Sequence, residues 1–296
     1  MKTKTRIWLG IGACVMAGSG AVVPGTAPAE AGTPVTSLRP LGGGTDTAIP
    51  RTPGSAFTLA AAMKHGGEAG EAGEEGGEKG ASNLPPDLDF ALKVALIRGH
   101  LRVGDELVKA GLWAAALPHF LHPTEEIYGD IRAKLKDYNT PPFEAALKLL
   151  ANMVKTKKGG DDYAKAMASV NDALVAADRG LKSKQANWAA FTLETALEVL
   201  KVATGEYKQA IVKKRIAKPV EYQDARGFVW QAEAMIDGVA ADLETKDVDA
   251  LKKMRDGFAE LKKTWPTATA PKAPVKDYGS VLSDVSRIEL AAGKLM

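Results

Sequence analysis

The chain has 296 residues, with 39 basic and 36 acidic side chains. That length allows one large or two small domains. Charge this evenly balanced, with no basic stripe carrying interleaved aromatics, excludes a nucleic-acid-binding surface.

Met1 to Arg6 carries Lys2, Lys4 and Arg6, and an apolar small-residue stretch follows from Ile7 to about Val23. Ala27-Pro28-Ala29 and Ala31 then supply an A-x-A-like end. A basic start, a short apolar segment and that ending predict a secretory signal over residues 1–29, cut after Ala29 or Ala31. The expected location is the periplasm, with no transmembrane segment in the mature chain. Ile11-Gly12-Ala13-Cys14 resembles a lipobox, so a lipoprotein anchored through Cys14 is the alternative. Removing the signal also removes Lys2, Lys4 and Arg6 and leaves equal numbers of acidic and basic residues, so the pI near 8.7 says nothing about an anionic partner. Cys14 is the single cysteine, and its loss leaves no disulfide and no thiolate ligand.

Residues 30–84 are rich in Gly, Pro, Thr and Ala. Within them, residues 66–80 read GGEAGEAGEEGGEKG. Such a composition cannot bury enough apolar area to offset its ordering entropy, and it predicts a disordered Gly/Glu/Pro-rich tether.

From Pro85 onward apolar residues recur at helical spacing. Helices are predicted at about 87–109, 112–120, 123–138, 142–155 and 161–178, the last stopped by Gly180. Further helices are predicted at 183–214, disturbed at Gly205, and at 219–243, 245–264 and 276–292. Lys213-Lys214-Arg215 then falls at a helix C-terminus, where cations match the dipole. No segment alternates as a strand does. The expected fold is all-α, two packed four-helix bundles or one larger helical array, with a first bundle at 85–180 and a second at 181–296.

Several chemistries lack their motifs: C-x-x-C-H, G-x-S-x-G, H-E-x-x-H, a phosphate-binding glycine loop, and the E-x-x-H pairs of di-iron bundles. No nucleophile–base pairing is visible, so an enzyme is the least supported class.

The positive signal is the placement of histidine. The chain has four, and three of them, His100, His119 and His122, fall within GHLRVGDELVKAGLWAAALPHFLHPTEEIY. Leu96, His100, Val103 and Leu107 share one helical stripe, which turns His100 inward, and Gly104 leaves space beside it. His119 and His122 are three apart, on one helix face. Pro123 is expected to begin a new helix, with Glu125 at its third position as a capping or dipole-matching residue and Glu126 one turn above His122. Three imidazoles and a carboxylate suit Zn²⁺, Cu²⁺ or Fe and do not suit Ca²⁺ or Mg²⁺. The candidate ligands are His100, His119, His122 and Glu126. A second polar segment, Glu221 to Phe228, reads as an acidic helix start with an Asp224–Arg226 surface network, or as Tyr222 or Asp224 lining the cleft of the histidines.

GHLRVGDELVKAG, HFLHPTEEIY, EYQDARGF and VSRIEL together resemble a family of bacterial exported helical proteins that carry a Gly/Glu-rich tether. More remotely, a secreted double helical bundle is similar to the imelysin-type proteins of periplasmic iron uptake, whose G-x-H-x-x-E is matched by His122-Pro123-Thr124-Glu125 with Phe120 in place of the glycine. That likeness implies a role in iron uptake. The function expected is a non-catalytic periplasmic protein binding a divalent transition metal, serving metal uptake or homeostasis, its partners the metal ion and another periplasmic protein. The alternatives are a haem or other cofactor held by His100 or His119, and a helical interaction module with no ligand.

Overall fold

The computed structural model describes residues 84–296. The predicted signal segment with Cys14, the tether up to residue 83 and His65 lie outside the described residues.

Helix α1 (Pro86–Lys109) opens with proline at its first position and Asp87 and Asp89 in its first turn, and it ends before Gly111 at φ 74°. Its buried residues, among them Phe90, Leu92, Leu96, Ile97, Leu101 and Leu107, cover nearly its whole circumference. A helix apolar all round must be surrounded, and α1 is the central element. After it come α2 (Trp113–Ala116) and α3 (Pro118–His122), a π-helical turn at Pro123–Ile127, α4 (Tyr128–Ile131) and a 3-10 helix at Arg132–Tyr138 closed by Asn139 in the left-handed region. Then follow α5 (Glu144–Lys155) and α6 (Asp161–Lys182). Packing of α1 on α3, α3 on α5, α5 on α6 and α6 on α1 closes a first ring of four helices.

The remaining elements are α7 (Trp188–Ala210), β1 (Ile211–Val212), β2 (Arg215–Ile216), α8 (Pro219–Gly238), α9 (Ala240–Glu244), α10 (Val248–Lys262) and α11 (Tyr278–Ala292). Here α7 packs on α8, α8 on α10, α10 on α11 and α11 on α7, a four-helix bundle. The chain is all-α as expected, and α1 joins the two halves by lying along α8 and α7.

Several boundaries differ from the sequence expectation, each for a local reason. Helix α6 runs through Gly180 to Lys182. Gly180 is there because a side chain would collide with the carbonyl of Tyr138, not because the helix stops. Helix α7 starts at Asn187, whose side chain accepts the Ala190 N–H, and it passes Gly205 unbroken. Asp247 and Asp277 likewise cap α10 and α11, accepting from the Ala250 and Ser280 N–H groups, so these helices begin later than predicted. Lys213 and Lys214 do not end a helix. They sit at φ 50° and 61° as the two turn residues of a β1–β2 hairpin with Ile211 opposite Ile216, the positive-φ geometry of a two-residue hairpin.

Two aromatic groups anchor the cores. The Phe90 and Tyr138 rings stack at 4.0 Å. Tyr207 meets Trp265 edge-on at 5.0 Å, and Tyr207 and Tyr222 donate to the carbonyls of Lys276 and Thr267. Burial pushes the Tyr222 hydroxyl up to about 12, so it is a neutral donor at ordinary pH.

Candidate metal centre

The site forms where α1 crosses α8. At the crossing, Gly99 and Gly227 face each other, and a side chain on Gly227 would strike the Gly99 carbonyl. A side chain on Gly99 would strike the Phe228 ring. With both missing, the two backbones touch, and the residues beside the glycines meet: His100 follows Gly99, and Asp224 stands one turn before Gly227. The Phe228 ring closes the site edge-on against His100 at 4.9 Å.

Asp224 is the hub. His100 Nδ1 and His119 Nδ1 each lie 2.7 Å from its Oδ1, and His122 Nδ1 lies 3.6 Å from its Oδ2. His100 and His119 are fully buried, and Asp224 is 1 % exposed. Burial alone would raise the Asp224 carboxyl, but the imidazoles of His100 and then His119 hold it well below the usual carboxylate range. It is therefore an anion in the interior.

His119 is held at both ends. Its Nε2 lies 3.0 Å from Gln223 Oε1, and the Gln223 amide is oriented by donating its own N–H to the Ala268 carbonyl at 3.1 Å. The amide oxygen thus faces one ring nitrogen and the Asp224 carboxylate the other. Both ring nitrogens of His119 are thus engaged by protein oxygens, which leaves neither turned toward a metal. His100 and His122 meet edge-on with ring centres 5.3 Å apart. One ligating atom from each of His100, His122 and Asp224 can be chosen so that all lie within 4.8 Å of one another.

The four residues predicted as ligands are thus gathered in part. His100, His119 and His122 converge, while Glu126 stands at the edge, with Oε1 3.9 Å from His122 Nε2. A new helical element begins at Pro123 as expected, but the backbone does not break there. It stays helical through His122 and Pro123 and widens into the π-turn, because proline supplies no N–H for the ladder and its ring needs room. Glu125 is exposed, and the turn has no side-chain cap.

For the Glu221–Phe228 segment the structure takes the second of the two readings, with Asp224 and not Tyr222 at the histidines. Asp224 does not join Arg226 in a surface network. It points into the histidines, while Arg226 turns the other way, forking onto Glu106 at 3.0 and 2.9 Å, donating to the Trp265 carbonyl at 2.6 Å and lying 4.0 Å over the Trp230 ring. Gln223 was not foreseen. An acid and an amide side by side in an otherwise apolar helical run were the available signal, since such groups are rarely buried without a partner.

Beside the cluster is a cavity of about 230 Å³. His122 and Asp224 form its floor and Glu126, Glu206, Glu221 and Lys218 its walls. Small-molecule sites commonly occupy about 300–1,000 Å³, so this space suits an ion with its waters better than an organic cofactor.

Residues 182–296 match the family model of the iron permease-associated 4-helix bundle domain. The matched stretch begins at the end of α6 and contains α7, α8, α10 and α11, the four helices that pack as a bundle. It contributes Gln223 and Asp224 to the cluster, whereas all three histidines lie before it. No curated protein and no solved structure matches the chain. Among the described residues, no helix is long and apolar enough to cross a membrane.

Proposed function

We propose that the protein binds one divalent transition metal ion at His100, His122 and Asp224, and that it serves iron uptake or homeostasis without catalysing a reaction. The observation that carries the proposal is the convergence of two imidazoles and one ionised carboxylate at a buried point with a polar opening. Two histidines and one carboxylate are a donor set favoured by Fe²⁺, with open positions left for water or a further ligand. The likeness of residues 182–296 to an iron permease-associated domain points to the same metal. Zn²⁺ and Cu²⁺ accept the same donors.

Metal–nitrogen and metal–oxygen bonds of about 2.0–2.2 Å would replace the direct contact of His100 Nδ1 with Asp224 Oδ1 at 2.7 Å, with the three side chains readjusting around the ion. His119 would orient Asp224 from behind, as partners of metal-bound groups commonly do. Glu126, at the rim, would supply a fourth ligand or hold a bound water. The carboxylates of Glu126 and Glu206 favour a cation approaching from solvent, while the Glu221 charge is offset by Lys218 at 2.9 Å. An exported chain handing the ion to a partner protein is the setting in which such a site would act.

The test is anaerobic calorimetry of the full chain with Fe²⁺, and with Zn²⁺ in parallel. One equivalent should bind wild type, and His100→Ala and Asp224→Asn should lose it. Affinity should fall on acidification, because imidazole must shed its proton to bind. If wild type takes up no metal, or all three proteins bind alike, the site is not a metal centre. A second reading, a helical module whose buried histidines serve packing, is favoured by the complete partnering of His119, and it would then take over.

A further inference from the structure

The junction between the two four-helix groups holds a second, larger cavity away from the histidines, about 500 Å³ in volume. Its body is apolar: the stacked pair Trp188 and Phe191, with ring centres 5.8 Å apart, with Leu181 and Met235. Its rim is cationic. Arg98, Arg102, Arg179 and Lys182 line it against one acid, Asp178. Arg98 and Asp178 satisfy each other through a two-pronged pair at 2.9 and 2.7 Å, so Arg102, Arg179 and Lys182 remain, all exposed. None of these three makes an ion pair or side-chain hydrogen bond among the described residues. Thr192, which lines the cavity, is 6 % exposed, and its hydroxyl has no hydrogen-bond partner among the described residues. A buried hydroxyl without a partner costs free energy unless something else bonds to it.

We propose that this cavity binds an amphipathic organic anion, a hydrophobic carboxylate whose apolar body packs on Trp188 and Phe191 and whose head group meets Arg102 and Arg179. The volume falls within the range of small-molecule sites, and the few polar groups at the edge of an apolar chamber are the arrangement such sites use for orientation. The excess of positive charge selects an anion over a cation or a neutral amphiphile. The chamber is lined by α1, α6, α7 and α8, so its occupant would bridge the two helical groups. The proposal is independent of the metal centre, with which it shares no residue.

The experiment is isothermal calorimetry of the full chain with sodium decanoate and, separately, 1-decanol. Decanoate should bind at one site, and decanol at least about tenfold more weakly. Reversing two exposed charges, Arg102→Glu with Arg179→Glu, should weaken decanoate by about tenfold, in keeping with modest exposed charge interactions summed over two residues. The control Lys252→Glu with Lys253→Glu makes the same change in net charge far from the cavity and should leave binding unchanged. Thr192→Val should cost about fivefold, and Ala234→Trp, which fills the cavity, should abolish binding. The charge variants are on the surface and should fold, as circular dichroism would check. Absence of saturable decanoate binding, equal affinity for decanol, or equal loss in both charge-reversal pairs would each overturn the proposal.

Discussion

At the crossing of α1 and α8 the backbone of Gly227 rests against the carbonyl of Gly99, with no room for a methyl group between them. The contact sets how near His100 can come to Asp224, and therefore whether the cluster exists. Gly227→Ala must push the helices apart, because what blocks the new Cβ is backbone. We expect it to lower stability by about 1–3 kcal/mol and to remove metal binding together with it. Gly205→Ala, in mid-α7 with nothing within 4 Å of the new Cβ, should instead raise stability by about 0.5–1 kcal/mol. Denaturant midpoints of both variants decide the matter.

His119 and His100 are equally buried but should behave differently. Losing His100 removes a ligand, whereas losing His119 removes the group that steadies Asp224. We expect His119→Gln to weaken metal by about 10–100-fold while the number of imidazoles on the metal, counted by X-ray absorption, stays at that of wild type. A reduced imidazole count in that variant would make His119 a ligand and displace the three-donor assignment.

The loop before α11 is fastened by Lys276, which donates to Glu260 and to Asp284, each at 2.7 Å. Hydrogen bonds from Lys263 and Lys276 hold the Glu260 carboxyl at about 2, below its usual 4.5. A carboxyl depressed in the folded state stabilises fully above its unfolded value and loses that contribution as pH falls toward the folded value. The contribution of this cluster to the melting temperature should therefore stay level down to about pH 4.5 and then decline toward about pH 2. Lys276→Met should make that acid-side decline shallower. An unchanged pH profile in the variant would show that this cluster does not set acid stability.

Arg226 ties the two halves by gripping Glu106 of α1 while it donates to the Trp265 carbonyl. A lysine cannot reproduce the fork or the stacking on Trp230. Arg226→Lys should cost about 1–2 kcal/mol. Glu106→Gln should cost less than about 1 kcal/mol, since that carboxylate is 43 % exposed and screened. Thermal melts of the two single variants test the order.

The helical character of the chain was legible because helices announce themselves locally. The apolar spacing of α1, Pro86 at its start and Gly111 after its end are short-range signals, and they place that helix nearly to the residue. Where local signals mislead, a distant contact has won. Gly180 looks like a stop and is a point of close approach to Tyr138, and Lys213-Lys214 looks like a charged helix end and is a hairpin turn.

The candidate site divides in the same way. His100, His119 and His122 stand out because they cluster in a chain otherwise poor in histidine, and the inward stripe of α1 correctly turned His100 toward the interior. Asp224 and Gln223 lie more than a hundred residues further along. Spacing along one helix cannot say which residue of another helix will face it, because that depends on crossing angle and backbone separation. Here two glycines set the separation, and only the packed structure shows that Gly99 and Gly227 share one contact. The histidines are a property of the sequence, whereas the buried carboxylate that draws them together is a property of the tertiary fold.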